Sequence, residues 1–250
     1  MIEPLVSVIM PSYNSEATIE ESILSVLKQK YENWELIISD DNSTDNTINI
    51  IQDYAKKDHR IQVVRHTINK GAGFARNAAI ERAAGRYIAF LDSDDLWDEN
   101  KLGTQIAFME ENNIAFTYSQ YRKIDMQGNL GRIISPPSTI TYAELLKSNV
   151  IGCLTAIYNQ EVLGKTFMPL IRKRQDMALW LDLLKITEKA YCIPSVLAYY
   201  REGQKSLSSN KYKILISQWY FYRNYIGLNV LKSAYYFSFY IYKAVKKHGL

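Results

Sequence analysis

Tyr87-Ile88-Ala89-Phe90-Leu91-Asp92-Ser93-Asp94-Asp95-Leu96-Trp97 is the stretch whose reading decides this chain. From Tyr87 to Leu91 the run is apolar without alternation, the pattern of a strand covered on both faces. It ends in Asp92, Asp94 and Asp95, so carboxylates crowd the carboxyl end of a buried strand. In open α/β sheets that end is where ligands bind. Two unit charges about 4 Å apart repel by roughly 4 kcal/mol at an effective dielectric of ~20. Such a cluster calls for water, a basic partner or a divalent cation. Hard carboxylate oxygens suit Mg2+ or Mn2+, ions that usually also hold substrate phosphates. On these residues alone a solvated turn stays open, with one aspartate capping the next helix.

Working back from this strand, three more βα units precede it. Leu5–Met10 reads as a first buried strand closed by Pro11-Ser12-Tyr13-Asn14. Thr18-Ile19-Glu20-Glu21 fits a capping box for a helix striped by Ile19, Ile23, Val26 and Leu27. Trp34–Ser39 is a second strand, ending in Asp40-Asp41-Asn42-Ser43-Thr44-Asp45 before a helix through Ile48, Ile51 and Tyr54. Ile61–Arg65 is a third, followed by Asn69-Lys70-Gly71-Ala72-Gly73 and an alanine-rich helix. This β-α-β-α-β-α-β order implies an α/β fold with a mostly parallel sheet and right-handed crossovers. The first, second and fourth strands end in polar residues, which should converge at one sheet edge.

Forward of it the pattern is mixed. Lys101–Met109 reads as helix, and Phe116–Tyr121 and Lys123–Ile134 as strands around Gln127-Gly128-Asn129. Thr141-Tyr142-Ala143-Glu144 is a second capping box, and Leu154–Tyr158 a short strand. Arg172-Lys173-Arg174 precedes Gln175-Asp176 and a strong helix over Met177–Lys189. Ala190–Ile193 and Val196–Arg201 read as strands flanking Pro194, and Ser206–Asn210 as a turn. From Lys211 the chain carries lysines and one arginine but no acidic residue, interleaved with Trp219–Arg223 and Tyr235–Lys243, two aromatic helices. Arg223, Asn224, Asn229 and Lys232 interrupt any run long enough to span a bilayer. Two compatible readings stand for this tail: helices lying in a membrane interface, or helices packed on the core.

With 250 residues, 47% of them hydrophobic, there is ample length for one α/β core and an appendage. A net charge of +4 is too small to argue for nucleic acid, and none is expected as partner. Cys153 and Cys192 lack metal-ligand spacing and read as small buried residues. Met1-Ile2-Glu3-Pro4 has no basic n-region and no cleavage site, so secretion is not expected.

Pro11-Ser12-Tyr13-Asn14, Asp40–Asp45, Asn69-Lys70-Gly71 with Arg76-Asn77, and Asp92-Ser93-Asp94-Asp95 stand in an order that resembles the family 2 glycosyltransferases, which have the GT-A fold. Arg174-Gln175-Asp176-Met177-Ala178-Leu179-Trp180 looks like that family's Glu-Asp-x-x-Leu-Trp element, with Gln175 in place of Glu. The resemblance covers about Val6 to Asn210 and is nearest to bacterial enzymes of cell-surface polysaccharide synthesis, of the teichuronic-acid type.

It implies an inverting transfer from a nucleotide-diphospho-sugar, by family habit a UDP-sugar, to a saccharide or lipid-linked acceptor. It implies a catalytic domain over 1–210, with a donor half to about 115, and aromatic helices over 211–250. By the same resemblance Pro11 and Tyr13 line the base, Asp41 accepts from uracil, and Gly71, Asp92 and Ser93 bind the nucleotide-sugar. Asp94, with Asp92, would ligate Mn2+ or Mg2+, and Asp176 would be the general base. Alternative roles stay open: Tyr13 in core packing, Asp41 as a turn or cap aspartate, Asp176 as the cap of its helix. Arg76 and Asn77 read as scaffold, and Asp95 as a cap. The expected location is the cytoplasm, at the inner face of the plasma membrane, with peripheral contact through 211–250.

Three rivals are weaker. Gly71-Ala72-Gly73-Phe74-Ala75-Arg76 mimics a dinucleotide fingerprint but follows the third strand and ends in arginine. A nucleotidyltransferase should carry a glycine-rich basic loop after its first strand, where Pro11-Ser12-Tyr13-Asn14 stands. A non-catalytic nucleotide-sugar-binding module has no need of the full acidic set.

Overall fold

The computed structural model describes residues 3–171, 173–203 and 211–248. The first half runs β1 (Val6–Ser12), α1 (Ile19–Leu27), β2 (Trp34–Asp40), α2 (Thr47–Lys57), β3 (Ile61–Arg65), α3 (Ala72–Arg82), β4 (Tyr87–Phe90), β5 (Leu96–Trp97) and α4 (Lys101–Asn112). The second half continues with β6 (Phe116–Ile124), β7 (Leu130–Ile134), β8 (Thr139–Thr141), α5 (Tyr142–Lys147), a 3-10 turn at Cys153–Thr155, β9 (Ile157–Asn159), α6 (Gln160–Leu163), α7 (Gln175–Ile186) and β10 (Lys189–Arg201). The tail forms α8 (Lys211–Tyr220), a π turn at Phe221–Tyr225 and α9 (Val230–His248).

One mixed sheet carries the molecule, in the order β3-β2-β1-β4-β9-β6-β10-β5, with β7 on β6 and β8 on β10. The first four strands are parallel, and β1, β2 and β4 are buried at every position, as strands covered by helices on both faces are. Alternate side chains feed two cores. Val8, Leu36 and Ala89 join Ile23 of α1 and Ile106 of α4 on one face. Ile9, Ile37 and Phe90 join Ile80 of α3 and Trp180 of α7 on the other. Trp180 is fully buried, edge-on to Phe90 at 5.4 Å between centroids.

The parallel register places the strand ends side by side. Ser12 pairs with Asp40, and the Asp41 amide donates to the Ser12 carbonyl at 2.9 Å. The Leu91 amide donates to the Ile9 carbonyl at 3.1 Å, so Asp92 emerges beside Pro11. The polar strand ends thus converge at one sheet edge, as expected.

Several expectations are corrected. The first strand runs through Pro11 to Ser12, because a proline needs no donor where the neighbouring strand does not ask for one. Thr18 makes no capping bond; its hydroxyl donates to the Ser93 carbonyl at 2.9 Å, pinning the start of α1 to the aspartate loop. The second capping box, Thr141 with Glu144, is formed. Asp95 caps no helix, since α4 starts only at Lys101. Residues 153–155 make a tight turn and only Ile157–Asn159 is strand. Lys189 belongs to β10, and α7 stops at Ile186. Pro194 does not divide two strands: β10 is continuous, and its register against β6 shifts on either side of Val196, absorbing the extra residues as bulges.

Within the tail, Phe221 and Tyr222 are buried, and the Tyr222 hydroxyl donates to the Leu146 carbonyl. Tyr225 donates to Asp182 at 3.0 Å. Packing on the core therefore holds for this part of the tail. The turn expected over Ser206–Asn210, Arg172, and the side chains of Lys211, Lys213, Lys246 and Lys247 lie outside the described residues. No described helix is long and apolar enough to cross a membrane.

Candidate active site

The strand ends enclose a cleft of about 660 Å³, lined among others by Pro11, Tyr13, Asp41, Gly71, Arg76, Asp92, Ser93, Asp94 and Arg201. Seven of the eight residues expected at the site on sequence grounds are thus brought together. The eighth, Asp176, does not line it.

The wall from β1 presents Tyr13, 49% exposed at the cleft, which excludes core packing for that ring. Asn14 follows in the left-handed region at φ 47°, and its side-chain oxygen accepts from the Thr44 amide at 2.8 Å. Asparagine tolerates that conformation better than most residues. Of the paired aspartates after β2, Asp40 is the turn residue: its carboxylate takes the Ser43 amide at 3.0 Å and the Ser43 hydroxyl at 2.5 Å. Asp41 is buried too, but reaches across the sheet edge. Its oxygens accept from the amides of Lys70 at 2.9 Å and Gly71 at 2.6 Å. Asp41 therefore holds the loop before α3 in place. Gly71, at φ 91° and ψ 162°, occupies backbone space open essentially to glycine alone.

The floor is the loop after β4. Asp92 pairs with Arg76 at 2.5 Å, and that arginine side chain is only 12% exposed. Burial works against the Arg76 cation, but the surrounding negative charge, Asp92 first and Asp176 with it, together outweighs burial and the pKa is raised. The Arg76 Nε has no partner among the described residues although it is buried. Arg76 is thus part of the cleft, where the sequence suggested scaffold. Ser93 shares a hydrogen bond with Ser15 at 2.8 Å between hydroxyls.

The Asp94 carboxylate accepts no hydrogen bond from any other described residue. The surrounding cleft wall desolvates it, Asp92 adds its charge, and its pKa is pushed up to about 6. Asp95 is buried beneath, its pKa raised by burial and then by Asp94 and Asp92. It accepts the Arg201 amide at 2.9 Å. The Arg201 guanidinium donates to the Asp94 carbonyl at 2.9 Å and to Glu21. Nothing local to Arg201 announces this role; it closes the cleft only because β10 carries it beneath the aspartate loop.

These groups fit a divalent cation. Asp94 offers unengaged oxygens, Asp92 keeps one oxygen clear of Arg76, and their mutual repulsion is what a cation relieves. Among the described residues no set of three or more His, Cys, Asp or Glu side chains forms a complete cage.

Asp176 stands in the first turn of α7. Its Oδ2 accepts from the Asn149 side-chain amide at 2.8 Å, and its charge reaches Arg76. Gln175 packs on Gly73: a Cβ added there would meet the Gln175 amide at 2.5 Å. The start of α7 is thereby fitted against the start of α3, beside the cleft. Cys153 lies among Arg76, Asp92 and Asp176, and burial pushes its thiol well up, so it stays protonated. Both cysteines are free.

With this geometry described, likeness to other proteins can be stated. The family model described as Glycosyl transferase family 2 matches residues 7–167. TuaG of Bacillus subtilis (strain 168), a glycosyltransferase assigned by its name to teichuronic acid biosynthesis, is 47% identical over 246 residues, 98% of each chain. WfgD of Escherichia coli, named as a UDP-Glc:alpha-D-GlcNAc-diphosphoundecaprenol beta-1,3-glucosyltransferase, is 44% identical over 100% of this chain and 97% of its own. The structure of S. aureus TarS residues 1–349 in complex with UDP-GlcNAc superposes with a TM-score of 0.73, covering 96% of this chain and 72% of that one at 22% identity. That last likeness concerns the fold.

Proposed function

The chain belongs to glycosyl transferase family 2 and is a glycosyltransferase of GT-A fold, and from that premise we propose the following reaction. It moves a sugar from a UDP-sugar, with inversion, to a hydroxyl of a saccharide carried on a lipid diphosphate, in cell-surface polysaccharide synthesis. The observation that carries this reading is the convergence of an exposed Tyr13, the Asp92/Asp94 pair and Arg76 in one cleft, with Asp176 just beyond its wall. The names of relatives that span the whole chain support the donor and acceptor classes.

Tyr13 stacks on the base and Pro11 bounds it. Asp41 contributes by fixing the Lys70–Gly71 loop, which leaves it lone pairs for uracil. Asp94 and Asp92 would hold Mn2+ or Mg2+, and Ser93 orders the loop between them. When bound, such an ion neutralises charge on the diphosphate leaving group. Arg76, already tied to Asp92, adds a second positive charge there. Asn149 orients Asp176, leaving Oδ1 to take the acceptor proton. The acceptor oxygen then bonds the anomeric carbon as its bond to phosphate breaks and the nucleoside diphosphate departs.

Contact with the membrane is the further part of this reading. Leu231, Tyr235, Tyr242 and Val245 lie on one exposed stripe of α9, with Lys232 and Lys243 exposed as well. An anionic bilayer surface at the inner face of the membrane suits that stripe, each basic residue there adding about 1 kcal/mol. The test incubates full-length protein with a panel of nucleotide-sugars and a lipid-diphosphate saccharide, and reads the product's anomeric configuration by NMR. Transfer from a UDP-sugar with inverted configuration is expected; no transfer from any donor, or retention, sinks the proposal. Co-sedimentation with anionic vesicles, compared with Leu231→Ser/Tyr242→Ser, tests the membrane part: equal partitioning of both proteins removes it.

A further inference from the structure

Two cations stand between the expected base and the tail. Lys147 ends α5, two residues before Asn149, and its ammonium lies over the Phe239 ring at 4.8 Å. Arg174 precedes Asp176 by two residues. Its guanidinium lies over the Tyr240 ring at 5.3 Å and donates to the Tyr240 hydroxyl at 2.6 Å. Because Asn149 and Asp176 are themselves bonded at 2.8 Å, the two segments run side by side, and adjacent rings of α9 frame both cations.

Neither cation has a carboxylate partner among the described residues. Glu144, one turn before Lys147, is engaged in the capping box with Thr141. Both side chains are half-buried, and Arg174 is held at φ 68°, in the left-handed region, so its placement is not incidental to a relaxed turn. A partly desolvated cation without a counter-ion is unfavourable, and the guanidinium keeps donors beyond the one given to Tyr240. The aromatic rings hold the cations in place without neutralising them.

We infer that Lys147 and Arg174 form the subsite for the acceptor's diphosphate, with Phe239 and Tyr240 as its frame. The inference rests on the functional reading above and adds the residues that recognise the anionic part of the acceptor. The order along the face is then donor carboxylates and Arg76, base Asp176, cations Lys147 and Arg174, and the apolar stripe of α9. That is the order of the parts of a lipid-linked sugar whose reacting hydroxyl sits at the base: sugar, diphosphate, lipid. It also gives α9 a role in specificity, because it positions both cations.

The same chemistry would fit a phosphate headgroup of the bilayer, and the test separates the two sources. Without vesicles, kcat/KM is measured for a sugar joined through diphosphate to a short alkyl chain, and for the matching phosphate-free alkyl glycoside. The wild type is expected to favour the diphosphate by about 10-fold or more, the scale of one or two charge-assisted hydrogen bonds. Arg174→Asn, chosen because asparagine tolerates the left-handed backbone, and Lys147→Gln should each shrink that preference several-fold. Arg174→Lys should restore part of it. Affinity for UDP reports that the variants are folded, and Tyr240→Phe, which keeps the ring and loses the hydroxyl, gives a smaller loss of preference should Arg174→Asn fail to fold. An unchanged preference in both charge variants overturns the inference. So does loss of vesicle binding with the preference intact, which assigns the cations to membrane headgroups. If the wild type transfers to neither acceptor, the functional reading has failed and the subsite falls with it; transfer to both with no preference removes the subsite alone.

Discussion

The cleft and the region proposed to take the acceptor are built by different means. The cleft is made by loops at the ends of parallel strands, at Pro11–Ser15, Asp40–Asp45 and Asp92–Asp95, which bond to one another through Asn14 with Thr44 and Ser15 with Ser93, while Asp41 ties in the loop before α3. The proposed acceptor side is put together from Lys147–Asn149, Arg174–Asp176 and Phe239–Tyr240, three segments far apart in sequence that meet because α5, α7 and α9 dock. Backbone register fixes the first; side-chain packing fixes the second. The cleft should therefore respond to single changes in chemistry, and the acceptor side to changes in orientation and charge.

The largest effect should come from the cleft floor. Asp94→Asn removes a carboxylate there that no other described residue hydrogen-bonds, and turnover should fall about 10³-fold, the upper range for one electrostatic contact. Circular dichroism should be unchanged, and adding excess Mn2+ should not rescue it. Turnover within tenfold of wild type would place the donor chemistry elsewhere.

Next is the buried support of that floor. Arg201 is buried and its guanidinium bonds the Asp94 carbonyl and Glu21 above Asp95. Arg201→Met should lower unfolding free energy by about 3 kcal/mol, the low end for breaking a buried pair because Glu21 is exposed. Urea titration measures it. A loss below 1 kcal/mol would mean that the guanidinium's bonds to the Asp94 carbonyl and Glu21 add little to holding the floor.

On the acceptor side, Asp176→Asn should keep UDP affinity while losing roughly 100-fold in turnover, the low end of general-base contributions. Calorimetric UDP titration beside steady-state kinetics reads both. Parallel losses in UDP binding and turnover would show the two regions to be one unit and break the comparison.

The smallest effect tests the joint between the halves. Lys101 of α4 is fully buried and donates to Gln105 and to the Thr155 carbonyl at 3.2 Å. Burial pulls its pKa well below the ordinary lysine value. The unfolded chain therefore binds more protons between the depressed folded value and the ordinary one, so stability should rise with pH across that window. Lys101→Met should flatten the rise, as read from urea midpoints at neutral and alkaline pH. Equal slopes for both proteins would mean that the amine finds a counter-charge.

The residue order alone determined the strand ends and the chemistry at them. Apolar runs such as Tyr87–Leu91 have no period and fit a strand buried on both faces, which puts the carboxylates at the ligand-binding end of a sheet. The family motifs sit on those ends, and Pro11, Tyr13, Gly71, Asp92, Ser93 and Asp94 line one cavity accordingly. Other assignments were decided by contacts across long separations. Thr18 looked like a cap and serves the Ser93 carbonyl; Arg76 looked like scaffold and pairs with Asp92; Arg201 and Asn149 carried no signal. Period and capping patterns report a residue's neighbours within a few positions. Which partner a buried polar group meets depends on strand register and helix docking, and burial then makes that partner obligatory, because an unpaired polar group away from water is unfavourable by several kcal/mol, of order 2–7 on transfer scales.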